Sequence, residues 1–100
     1  MNKIKVFENK KVRTAWNEET EDWFFSVIDV IEILTESENP RRYWSDLKIK
    51  LSTEGSELYD DIVQLKLPAA DGKMRLTDVL DTKGILRLVQ SVPSPKIMQF

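Results

Sequence analysis

Apolar and polar residues alternate at the start of the chain, with Ile4, Val6 and, after a break, Val12 on the apolar side. This two-residue period around Glu8-Asn9-Lys10-Lys11 predicts a β-hairpin with Asn9-Lys10 near its turn. Asn17 to Asp22 is a polar connection. Asp22 to Phe25 is short and aromatic and predicts a third strand, completing an N-terminal meander. The period then changes. Val27, Val30, Ile31 and Leu34 fall at helical spacing, and Ser26 before them is a good N-cap. Ser26-Val27-Ile28-Asp29 makes a weakened capping box, with Asp where Glu is preferred.

Thr35 to Glu38 breaks the pattern. Asn39 caps a second helix, with Pro40 at its first position, where the missing N–H costs nothing. Tyr43, Trp44, Leu47 and Leu51 share one face of it, while Arg41, Ser45, Lys48 and, further round, Arg42 and Ile49 point away. Gly55 ends the segment. Ile62 to Leu67 is β-like, Asp71-Gly72 marks a turn, and Lys73 to Thr77 alternates back. Asp81 or Thr82 caps a third helix carrying Ile85, Leu86, Leu88 and Val89. Pro93 stops that helix, and Ser94-Pro95 resembles the start of another.

The elements predict an α+β fold in one small domain, residues 1–100: a β-meander, a two-helix unit, a wing-like β-hairpin and a C-terminal helix. The expected core is Val27, Val30, Ile31, Leu34, Tyr43, Trp44, Leu47, Leu51, Ile85, Leu86 and Val89.

Composition narrows the chemistry. There is no Cys, hence no disulfide framework and no thiol nucleophile, which fits a cytoplasmic chain. There is no His, which removes the commonest general base and transition-metal ligand. The expectation is therefore a non-enzyme without a cofactor or metal. No apolar run approaches the length of a membrane span, and Met1-Asn2-Lys3-Ile4-Lys5 opens no signal-peptide core.

A net charge of −2 hides a block pattern. Residues 1–16 sum to +4, residues 17–38 to −8, residues 39–53 to +3, residues 54–61 to −4 and residues 62–100 to +3. The reversal at residue 39 places Arg41, Arg42, Lys48 and Lys50 on the second helix. An α-helix fits the major groove, and Lys and Arg neutralise phosphates. Candidate DNA contacts are thus Arg41, Arg42, Lys48 and Lys50, with Ser45 and Arg41 near base edges. Lys73 and Arg75 on the hairpin are secondary contacts, with Lys66 a further basic residue there. The competing reading is a solvated face in which Asp46 pairs with Arg42 or Lys50 at i,i+4, and edge-strand charges that discourage aggregation.

Trp16, Trp23, Phe24, Phe25 and Trp44 are read as mostly core rather than as base-stacking platforms. Glu18, Glu19, Glu21, Asp22, Glu36 and Glu38 match no metal loop and predict a solvated acidic surface away from DNA. Asp60 and Asp61 beside Tyr59 are expected on a strand, where neighbours point to opposite sides and make no acid/base pair.

Several pieces together resemble the BRO family N-terminal domain, found also in phage and prophage antirepressors. They are Trp23-Phe24 leading into Asp29-Val30, then Asn39-Pro40-Arg41 with Trp44. Asp71-Gly72-Lys73, Thr77-Asp78-Val79 and Gly84-Ile85-Leu86-Arg87-Leu88-Val89-Gln90-Ser91 follow, and Pro93-Ser94-Pro95-Lys96 with Phe100 closes the set. The resemblance spans nearly the whole chain. It departs where Thr35, not Gly, follows Leu34, and where the closing motif stops at Phe100 before a usual Trp. That last departure implies the N-terminal part of a longer protein. The resemblance implies a small α+β fold and DNA binding in a transcriptional regulator, with no catalytic site. Two functions follow: a double-stranded DNA-binding domain, or a protein-interaction module that docks on a repressor or pairs with itself.

Overall fold

The computed structural model describes residues 2–7 and 10–92, with side chains from residue 12 onward. The element order is β1 (Asn2–Phe7), β2 (Lys10–Asn17), β3 (Asp22–Ser26), α1 (Val27–Thr35), α2 (Pro40–Thr53), α3 (Glu57–Asp60), β4 (Val63–Pro68), β5 (Met74–Asp81) and α4 (Thr82–Ser91). The expected α+β order is present, with the short helix α3 added. The expected turn at Asn9-Lys10 lies partly, and the helix start at Ser94-Pro95 wholly, outside the described residues.

Meander and hairpin belong to one five-stranded sheet in the order β1-β2-β3-β5-β4, antiparallel throughout. β5 runs on past Thr77 and pairs with β3 through Phe24↔Asp81, Phe25↔Leu80 and Ser26↔Val79. Residues 74–78 pair with β4 and not with β3, so the outer part of the hairpin reaches beyond β3. Gly72 closes its turn with φ of 82°, a conformation that L side chains disfavour.

Each helix starts where local chemistry directs it. Ser26 Oγ accepts from Asp29 N at 3.4 Å, Asn39 Oδ1 from Arg42 N at 3.1 Å, and Asp81 Oδ1 from Gly84 N at 2.8 Å. The return half of the capping box does not form, because the Asp29 carboxylate is engaged by Arg13. α1 ends with Glu36 as C-cap at φ of 54°, donating its N–H to Glu32 O. This is the left-handed position that a Gly would fill without strain.

The core gathers Val27, Ile31, Leu34, Trp44, Leu51, Leu58, Leu80, Leu88 and Val92, with Val30, Tyr43, Leu47, Ile85 and Val89 partly buried against it. Leu86 corrects the expectation: it is 59% exposed, and Leu88 takes the buried position. Two residues apart on a helix is about 200°, so the two cannot share a face. Gly84 is buried against Leu80, where an added Cβ would stand 2.9 Å from Leu80 Cδ2. Of the five aromatics expected to be mostly core only Trp44 is buried; Trp23, Phe24 and Phe25 are half-buried, and Trp16 is exposed and meets Trp23 edge-on at 5.1 Å. Among the described residues no helix is long and apolar enough to cross a membrane.

Candidate nucleic-acid interface

The first turn of α2 concentrates charge against its own helix. Pro40 occupies the first turn, and Arg41 and Arg42 follow, with no acidic residue in that turn. The N-terminus of a helix carries a partial positive charge, so a cation there costs about 0.3–1 kcal/mol. Neither arginine has an ion pair among the described residues. Asp46 pairs with neither Arg42 nor Lys50, so the local neutralisation weighed from the sequence is absent.

Arg41, Ser45 and Lys48 recur at i, i+4 and i+7 and present one face of α2 to the hairpin. With Arg75, Leu76, Gln64, Arg13 and Ala69 they line a groove of about 300 Å³. Four of the seven candidate residues therefore converge: Arg41, Ser45, Lys48 and Arg75. Arg42, Lys50 and Lys73 are exposed but lie outside this groove.

Convergence is not availability. Arg75 forms an ion pair with Asp71 across the hairpin turn, and both are solvent-exposed. Arg75 holds the Asp71 carboxyl below the usual range. Lys48 donates to Asp78 Oδ2 at 2.8 Å and sits 5.9 Å from the Trp44 ring centroid.

Asp78 is the hub that the sequence reading missed. Its carboxylate, 8% exposed, accepts from Trp44 Nε1 at 2.8 Å, Lys48 Nζ at 2.8 Å and Gln64 Nε2 at 3.0 Å. Burial pushes this carboxyl up, but the hydrogen bonds from Lys48, Trp44 and Gln64 outweigh it and hold the group below the usual carboxylate range. A charged residue inside the run Thr77-Asp78-Val79-Leu80 was the available signal.

Arg13 is the second missed residue. Its Nε and Nη2 grip Asp29 Oδ2 and Oδ1 at 2.8 and 3.0 Å. Nη2 also reaches Ser26 Oγ at 3.2 Å, and Nη1 reaches the Pro68 carbonyl at 2.9 Å. The hydrogen bond to Asp29 raises the guanidinium above its ordinary value. One side chain thus ties β2 to the start of α1 and the end of β4.

One of the acidic residues expected away from the DNA face, Glu38, lies beside it, sharing a hollow with Arg41. Glu18, Glu19, Glu21, Glu36 and Glu38 are exposed, and Asp22 is half-buried, bonded to Thr82. Asp29, Glu32 and Glu38 line a neighbouring hollow of about 620 Å³ that also touches Arg41. Asp60 and Asp61 are not on a strand: Asp60 ends α3 and Asp61 caps it, with Asp61 Oδ2 3.6 Å from Arg87 Nη1. Helical geometry, not strand alternation, fixes their directions. No group of three or more metal-ligating side chains occurs among the described residues.

No family model matches this chain, and neither a curated protein nor a solved structure does.

Proposed function

We propose that the chain is a DNA-binding domain of a BRO-like, phage or prophage antirepressor-type regulator acting in the cytoplasm. Duplex DNA docks on the first turn of α2 and the adjoining groove, and the domain binds rather than catalyses. The observation that carries this reading is the pair Arg41 and Arg42, without an ion-pair partner among the described residues and set against the dipole at the start of α2. Such a placement costs folding energy and gains it back when a phosphate arrives, because the anion meets both guanidinium groups and the helix N-terminus. Lys50 on α2 and Lys73 at the hairpin turn add exposed cations on the flanks, with no ion pair among the described residues.

The test is a salt-titrated binding assay on random-sequence duplex DNA. Log affinity falls with log salt, with a slope of about −0.9 per phosphate neutralised. Each phosphate-contacting cation removed lowers that slope by about one, while a base-reading arginine costs about 1–3 kcal/mol and relaxes specificity at one position. Equal binding at low salt by a folded Arg41→Ala/Arg42→Ala/Lys50→Ala chain would refute the reading.

A protein partner is the second reading, and a specific surface favours it. Ile49 is 64% exposed and Tyr59 41% exposed, and both line a hollow of about 210 Å³ with Ser45, Lys48, Ser52 and Thr53. A repressor or a second copy of the chain would dock there through apolar contact.

A further inference from the structure

We propose that Asp78 sets how many phosphates this surface can neutralise, by holding Lys48 as an internal counter-ion while bracing α2 against the β4–β5 hairpin. The inference rests on the DNA-binding reading and deepens it. Lys48 lines both the groove, with Arg41 and Ser45, and the adjoining hollow, with Ser52 and Thr53, so an unpaired lysine there would face both. Its ammonium is instead directed to Asp78 Oδ2.

The same oxygen accepts from Trp44 Nε1, one turn back on α2, and the other carboxylate oxygen accepts from Gln64 on β4. The Gln64↔Asp78 pairing in the sheet fixes Asp78 in register with its amide partner. Three donors from two elements therefore converge on one buried carboxylate. Every buried side-chain polar atom among the described residues has a partner, those of Asp78 included. Moving Lys48, itself 36% exposed, onto an incoming phosphate would take the counter-charge away from the buried carboxylate. Arg41, Arg42 and Lys50 have no such partner among the described residues and remain the cations that DNA meets.

Three variants of the full chain test this: Asp78→Asn, Lys48→Met and the double variant, each checked for native circular dichroism. Asp78→Asn keeps the shape and removes the charge, which frees Lys48. Its log affinity against log salt is expected to steepen by about 0.9, so that raising salt from about 50 to about 200 mM weakens binding about threefold more than in wild type. Lys48→Met and the double variant are expected to keep the wild-type slope. A brace with no electrostatic role predicts something else for Asp78→Asn: weaker binding without a steeper slope. That result, or a slope flattened by about 0.9 in Lys48→Met, overturns the inference.

The clamp is also read without DNA. In urea unfolding, Lys48→Met and Asp78→Asn are expected to be non-additive by about fivefold or more in the unfolding constant. Additive effects overturn the clamp. Strong coupling in a chain that binds no duplex at any salt overturns the DNA reading instead and leaves the clamp standing.

Discussion

Replacing Arg13 by Met removes the fork that joins three elements and keeps most of the apolar stem. The side chains of Arg13 and Asp29 are 21% and 13% exposed, so the pair is largely shielded from water. Removing one partner of a buried pair costs about 3–5 kcal/mol, whereas exposed pairs are worth about 0–1 kcal/mol. Two features of the site reduce the buried figure. Asp29 keeps the backbone N–H of residue 13, now at 2.9 Å, and it stays in the first turn of α1, where the dipole favours a carboxylate by about 0.3–1 kcal/mol. Against this, the bonds to Ser26 Oγ and the Pro68 carbonyl are also lost.

The expected loss is about 2–3 kcal/mol, which for a domain of this size lowers Tm by roughly 10–20 °C. Urea unfolding followed by tryptophan fluorescence measures it directly. Arg13→Lys should recover only a small part, since an ammonium cannot hold both Asp29 oxygens and Pro68 together. A loss below about 0.5 kcal/mol for Arg13→Met, with an unchanged m value, would show that the Arg13 fork adds no net stability.

Two further outcomes follow from burial and titration. Ile31→Ala, at a fully buried site, should destabilise by about 2–5 kcal/mol, and Leu47→Ala, only partly buried, by about 1–2 kcal/mol; urea midpoints compare the two. Asp78 has a lowered pKa in the folded chain, so its contribution is present above the unfolded carboxylate value of about 3.9 and is lost as pH falls through the folded one. Wild type should therefore lose more stability than Asp78→Asn between about pH 5 and about pH 2, and parallel pH profiles of the two chains would contradict the assignment.

What was legible in the sequence is what local chemistry decides. Ser26, Asn39-Pro40 and Asp81 each cap a helix through a bond spanning three residues, and short-range rules capture such bonds. The alternation of β4 and the Asp71-Gly72 turn were readable for the same reason. The inner half of β5 was not. Residues 77–80 are all buried, on both faces of the strand, and a strand buried on both faces loses its two-residue period. α3 escaped because four residues hold barely one turn, too few for a period to register.

The candidate site divides along the same line. Position on the α2 face follows from helical arithmetic, and the groove gathers Arg41, Ser45 and Lys48 as the spacing required. Which cations stay unpaired is a tertiary property. Asp78 lies 30 residues from Lys48, and Asp29 lies 16 from Arg13, distances over which sequence spacing carries no information about pairing. Both missed carboxylates sit at the junction of helix and sheet and neutralise cations that face the groove. Asp71 does the same for Arg75 at the surface. Among the described residues the fold thus cancels charge at Arg13, Lys48 and Arg75 and leaves it on exposed cations that include Arg41 and Arg42, in the first turn of α2, where the helix dipole makes a cation unfavourable.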